Sequence, residues 1–203
     1  MINLKKIIDF IPDSENIFFH AGISPLKKFN NYKTITLKLL DTLDKKNLKS
    51  LIVPTYTYSF TKEKIFNRKM SPSEVGRFSE EVRKICKIHQ RSIDPIFSCV
   101  DVFNSGIVND YLHTESFEKN SIFEYWNNIN GIVVNFGLNE IVSTQLHYIE
   151  FKNNVSYRKN KLFKGHIIDQ NKKMKIEYNF FCRKNINKNF FDRNKILKDL
   201  ISE

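Results

Sequence analysis

Cysteine is scarce in this chain of 203 residues, with only Cys86, Cys99 and Cys182 present, and no two of them form a Cys-x-x-Cys pair. An odd, scattered set gives neither a disulfide framework nor a zinc site. Reduced thiols, cytoplasmic residence and no bound metal are therefore expected. Long hydrophobic runs are also missing: no apolar stretch approaches the roughly 20 residues that cross a bilayer, so no membrane span is expected. The opening MINLKKIIDFIP is short, amphipathic and broken by Asp9; it lacks a signal-peptide core and reads as a first helix. Neither repeats nor a convincing linker divides the chain, and its length suits one domain, residues 1–203, with a substantial core.

Against these absences stands a surplus of positive charge, 33 Lys and Arg against 22 Asp and Glu, for a net charge of +11. A basic surface attracts anions, whether nucleic acid, membrane phosphates or phosphorylated small molecules. The charge is spread along the chain rather than gathered into a block, so it does not choose among them. Eighteen Phe and eight Tyr would serve a nucleic-acid-binding module. No RRM, KH or zinc-finger signature accompanies them, and most lie in apolar runs that read as core; nucleic acid is not the expected partner.

Apolar runs at Ile17-Phe18-Phe19, Leu51-Ile52-Val53 and GIVVNFG (131–137) read as buried strands, as does the stretch 97–102. Helical spacing marks 32–46, and Ser71, Pro72 and Glu74 have the order of an N-cap, a first helical residue and a capping-box partner. Strands alternating with helices predict an α/β domain with a central mixed sheet flanked by helices. Beyond Val155, Leu162 to Asp169 and Met174 to Cys182 alternate around QNKK as an antiparallel hairpin, and 189–203 reads as a terminal helix. Ligands in open α/β sheets lie at the carboxyl ends of strands, and His20, Pro54-Thr55 and the His147 segment all follow apolar strands, so they are expected to converge there.

Three stretches carry candidate chemistry. STQLHYIE places His147 three residues before Glu150, on one helix face. PTYTYSF offers Thr55 and Thr57 after a buried strand, and RSIDPIFS sets Arg91, Ser92 and Asp94 about a proline-fixed turn. Each taken alone reads first as a structural pairing.

Taken together and in order, IFFHAGI, SLIVPTYTYSF, SPSEVGRFSEEVRK, RSIDPIFS, GIVVNFGL, STQLHYIE and VSYRK resemble the aminoglycoside 3-N-acetyltransferase family. The resemblance runs from about Phe18 to Arg158 and implies a fold unlike that of the GNAT acetyltransferases. It implies an acetyl-coenzyme A dependent transferase that acylates a small-molecule amine. By position it makes His147 the catalytic histidine and Glu150 its neighbouring acid. It makes His20, Gly22 and Ile23, Thr55 with Thr57, and Arg91 with Ser92, the lining of the coenzyme site. HAGI stands where the family usually has His-Ser-Ser-Leu, so coenzyme contacts there are expected from backbone N–H groups left open by Gly22. Asp94 stands where antibiotic-modifying members often have histidine, and is expected to bear on the acceptor and its proton network. A member that binds without catalysing is the reading opposed by the presence of both His147 and Glu150.

The chemistry fits these residue types. An alkyl ammonium with a pKa near 10.4 must lose a proton to attack, and histidine is the usual base near neutrality. Glu150 either orients that base, in the logic of a triad, or holds the substrate's ammonium group. Thr57, or an N–H in the stretch 55–58, is the expected oxyanion donor. Aminoglycosides are polycations that ill suit a +11 protein, whereas coenzyme A and nucleotide-linked sugars are anions. The acceptor expected is therefore an amino sugar on a nucleotide, destined for surface glycan, with an aminoglycoside antibiotic as the alternative.

Overall fold

The apolar runs become two sheets. The structure, a computed structural model, describes Asp9, Ile11 and residues 15–184. The helices expected at the two ends fall, apart from Asp9 and Ile11, outside the described residues.

β1 (Asn16–Ala21), β2 (Ser50–Pro54), β4 (Cys99–Asp101) and β5 (Ile132–Phe136) form a four-stranded sheet in the order β4-β2-β1-β5. β1 runs parallel to β2 and β5, and β4 closes the edge antiparallel to β2. β1 and β2 are apolar at successive positions because both faces are covered. Ile17, Phe19, Leu51 and Val53 face one core with Leu39, Leu43, Phe78 and Val82. Those partners come from α1 (Tyr32–Asp44) and α3 (Arg77–Ile85). Phe18 and Ile52 face the other core, with Phe97, Phe123, Trp126 and Tyr178. The alternating residues of one strand thus hold two layers of the molecule together.

The second sheet has the order β3-β6-β7, with β3 (Ile65–Asn67) parallel to β6 (Arg158–Asp169) and β6 antiparallel to β7 (Lys172–Arg183). Its hairpin is longer than the alternation alone implied. Gln170 and Asn171 both take positive φ, 43° and 68°, which suits a two-residue turn matching strand twist. Short helices α2 (Phe60–Glu63), α4 (Ile122–Asn128) and α5 (Gln145–Lys152) complete the set. α4 escaped the sequence reading, although Ser121 caps it by accepting the Glu124 N–H at 3.2 Å.

One expected helix start moves. α3 begins at Arg77, after Gly76 at φ 119°, and not at Pro72. The groups that would have capped a helix there are engaged elsewhere. Ser71 Oγ accepts the Asn67 N–H at 2.8 Å, and Glu74 Oε1 accepts the Ser59 N–H at 2.9 Å. A local turn at Ser71 and a more distant contact at Glu74 have overridden the capping signal.

Candidate active site

Because β1, β2 and β5 are parallel, their carboxyl ends open at one edge of the sheet. There lies a cleft of about 230 Å³, lined by His20 from β1, Pro54 at the end of β2, Tyr56 and Tyr58 just after it, Leu138 and the run from Ile141 to Thr144 after β5, and His147 and Glu150 of α5. The β1 and β5 exits approach closely: a Cβ on Gly22 would sit 2.5 Å from the Gly137 oxygen. Glycine is needed there for space. Its N–H is not left for a ligand, however, since it donates to the Phe136 oxygen at 2.8 Å and extends the β1–β5 ladder. Ile23 is buried in the core beside it.

α5 brings His147 and Glu150 onto one face, with Nδ1 of His147 2.7 Å from Glu150 Oε2. Tyr157 donates its hydroxyl to Glu150 Oε1 at 2.7 Å. The Arg158 guanidinium joins from β6, with Nε 2.7 Å from Glu150 Oε2 and Nη2 2.8 Å from His147 Nδ1. The Nε contact is an ion pair whose N–H is not aligned as a hydrogen bond. Burial works to raise the Glu150 pKa, but the bonds from His147 and Tyr157 and the nearby Arg158 guanidinium outweigh it and hold the group down to about 2. Glu150 is therefore a carboxylate at neutral pH with both oxygens engaged. The His147 side chain is 32% exposed, and with Nδ1 occupied its Nε2 is the nitrogen left for a ligand.

His20 sits on the opposite wall, stacked on Phe18 at 5.3 Å between ring centres. Burial lowers its pKa to about 4, so it is a neutral imidazole at neutral pH. Its Nε2 has no hydrogen-bond partner among the described residues.

The remaining candidates are not brought to the cleft. Arg91 is buried and donates to the oxygens of Arg68, Ser71 and Thr55 at 3.0, 2.7 and 2.8 Å, and to Thr57 Oγ1 and Ser98 Oγ at 3.0 Å each. Thr55 and Thr57 are consumed in the same network: their N–H groups go to Ser98 and Ile96 oxygens, and Thr55 Oγ1 lies 3.1 Å from the Ser98 oxygen. Of the groups expected to receive an oxyanion, the Thr57 hydroxyl and the Thr55 and Thr57 N–H groups are thus bonded inside the fold. Ser92 Oγ accepts the Cys99 N–H at 2.9 Å. Asp94 is buried under Tyr178, and its Oδ1 accepts the Ile96 and Phe97 N–H groups at 2.8 and 2.6 Å. It caps its own turn.

Sequence reasoning missed Tyr56, Tyr157, Arg158 and Arg183. Tyr56 donates to Thr144 Oγ1 at 2.8 Å and so ties the segment after β2 to the start of α5. Arg183 lines the cleft from β7 and pairs in register with Arg158. Tyr157 and Arg158 lay within VSYRK, so a signal existed for them; Arg183 had none.

Among the described residues no group of three or more His, Cys, Asp or Glu is arranged to hold a metal, and no helix is long and apolar enough to cross a membrane. A family model described as aminoglycoside 3-N-acetyltransferase matches residues 19–199. No curated protein matches the chain in sequence. The crystal structure of aminoglycoside acetyltransferase AAC(3)-Xa superposes with a TM-score of 0.75 at 12% identity, over 98% of this chain and 80% of that one. AAC-VIa bound to sisomicin gives 0.73 at 12% identity, over 98% and 84%. AAC-IIIb in a binary complex with CoASH gives 0.68 at 13%, over 98% and 83%. At these identities the likeness speaks for the fold.

Proposed function

The chain belongs to the aminoglycoside 3-N-acetyltransferase family, a family of acetyl-coenzyme A dependent N-acetyltransferases, and on that premise we propose that His147 is its general base. The observation that carries this is the engaged Nδ1 of His147 beside a carboxylate held ionised, in a cleft at the carboxyl edge of the sheet. Acetyl-coenzyme A supplies the thioester carbonyl as electrophile and a thiolate as leaving group. A narrow, mostly apolar cleft with an unpartnered imidazole fits such a group. His147 Nε2 takes the proton as the amine nitrogen attacks, and Glu150 holds the ring by Nδ1 and stabilises the imidazolium. Glu150 thereby orients the base, with one oxygen toward His147 and Arg158 and the other held by Tyr157. Tyr157 and Arg158 fix Glu150 in turn.

An aminoglycoside amine is the acceptor that the comparisons support better, since sisomicin occupies one of the similar structures. One observation favours a second reading, an amine on an anionic carrier such as a nucleotide-linked amino sugar. Among the described residues, the only carboxylate on the cleft is the fully engaged Glu150, and Arg183 stands on its wall. A polycation finds no unpaired anion there. The surface-glycan destination draws no support from the cleft.

The test is thiol release from acetyl-coenzyme A with a panel of aminoglycosides, free amino sugars and nucleotide-linked amino sugars. Amine-dependent release with aminoglycosides is expected under the first reading, and with the anionic sugars under the second. No release above hydrolysis with any amine would sink both.

A further inference from the structure

We propose that Arg158 is a positioning residue that decides which ring nitrogen of His147 carries the proton, by competing with Glu150 for the single in-plane site at Nδ1. The proposal rests on the reading of His147 as the base. A neutral imidazole has one N–H and one bare nitrogen. When Nδ1 carries the hydrogen it donates to Glu150 Oε2, and Nε2 is bare and able to take a proton. When Nδ1 is bare it accepts from Arg158 Nη2, and Nε2 carries the hydrogen and can only donate. The two neighbours lie 2.7 and 2.8 Å from the same atom. Both bonds cannot be made at once.

The geometry gives Arg158 somewhere else to go. Its Nε is 2.7 Å from Glu150 Oε2 but not aligned for a hydrogen bond. A small slide of the fork would align that bond and vacate Nδ1. Nη1 is loosely tied to the Phe181 oxygen at 3.4 Å, and the guanidinium carbon rides 5.5 Å from the centre of the Phe181 ring, so no strong bond on that side holds the fork where it is. The side chain is only 6% exposed, and water screens its charge poorly. The charged or titratable groups facing the imidazole are Glu150 from its own helix, Tyr157 before β6, Arg158 on β6, Arg183 on β7 and, across the cleft, His20 on β1 with Tyr56 and Tyr58 after β2.

In turnover the amine N–H bond breaks and an Nε2–H bond forms, leaving hydrogen on both nitrogens. Arg158 must then yield Nδ1 entirely, and its charge opposes the imidazolium. That opposition favours release of the Nε2 proton to the departing thiolate, which restores the bare nitrogen. Arg158 thus sets the base neither too strong to discharge nor permanently armed.

The experiment compares Arg158→Met, which removes the charge and the donors, with Arg158→Lys, which keeps the charge. The readouts are kcat/KM for the amine as a function of pH and the KM for acetyl-coenzyme A. In Arg158→Met the acid limb of the profile is expected to move up by about one pH unit, with the coenzyme KM within about twofold. Arg158→Lys should return the limb toward its wild-type position. A folded Arg158→Met enzyme whose limb stays in place overturns the proposal. If that variant does not fold, two-bond 15N correlation on histidine-labelled wild type reads the tautomer directly. Both tautomers of His147 in exchange are expected; Nδ1–H alone overturns the proposal. Failure of the base reading is distinguishable, because it would appear as an active His147→Ala enzyme.

Discussion

Two polar clusters in this molecule look equally purposeful in the sequence and behave differently in the fold. Around Arg91, a guanidinium 2% exposed meets three backbone oxygens and two hydroxyl oxygens. All five of its N–H groups end on protein. Around His147, a carboxylate, a phenol and a guanidinium also engage one another, yet one imidazole nitrogen is left over beside a cleft. A polar cluster that closes on itself holds backbone in place; one with a valence left open can act on a ligand. Burial lowers the Arg91 pKa to about 9, but the arginine remains a cation at neutral pH. It is a brace between the segments after β2 and before β4.

The largest expected effect lies in the open cluster. His147→Ala should lower kcat/KM for the amine by about 10³-fold and change coenzyme A affinity by no more than a few fold. Its melting temperature should stay near wild type, because the half-exposed side chain packs little. Calorimetric titration with coenzyme A and a steady-state assay on the same sample check both halves. Turnover near wild type would move the base elsewhere.

The closed cluster should break in the opposite sense. Arg91→Ala strands several buried oxygens and should lose about 3–5 kcal/mol of stability. Whatever fraction stays folded should bind coenzyme A as wild type does. Urea unfolding followed by titration below the transition separates the two effects. A stable variant with weakened coenzyme binding would restore the contact that the sequence pattern implied.

His20 sharpens the contrast through pH. Its folded pKa of about 4 lies below the ordinary 6.5, so the unfolded chain binds the extra proton between those values. Stability is therefore full above pH 6.5 and is lost as pH falls toward 4. The loss attributable to this group is at most about 3 kcal/mol. His20→Asn should flatten that part of a stability–pH curve while leaving the part above pH 6.5 unchanged in slope. An unaltered acid slope would mean the imidazole is not held neutral by its surroundings.

Much of this was legible because it is local. The runs Ile17-Phe18-Phe19 and Leu51-Ile52-Val53 announce strands covered on both faces, and the His147–Glu150 spacing announces a shared helix face. What was not legible depends on contacts between distant residues. Arg158 reaches His147 across the end of α5, and Arg91 reaches Ser71 over 20 positions. The false helix start at Pro72 has the same origin, since Glu74 is held by Ser59. Residue type shows that a side chain can bond; only the fold shows whether it already has.

Asp94 yields the smallest effect and the finest division between the clusters. Its neighbours are the Ile96 and Phe97 N–H groups and the Tyr178 hydroxyl, and burial, more than anything else, raises its pKa. An acceptor-selecting carboxylate would need to face the cleft; this one is sealed beneath β7. Asparagine keeps an oxygen for the two N–H groups and removes a buried charge, and Tyr178 can turn its hydroxyl toward the new amide. Asp94→Asn should therefore change stability by no more than about 1 kcal/mol, while Asp94→Ala, which loses the cap, should cost about 2 kcal/mol. Both should leave the Michaelis constants for amine and acetyl-coenzyme A unchanged within about twofold. The Asn variant decides the matter, because it separates charge from capping. Should its amine constant rise several-fold with the coenzyme constant unmoved, Asp94 would belong with His147 in the open cluster, acting on the acceptor through a path this arrangement does not show.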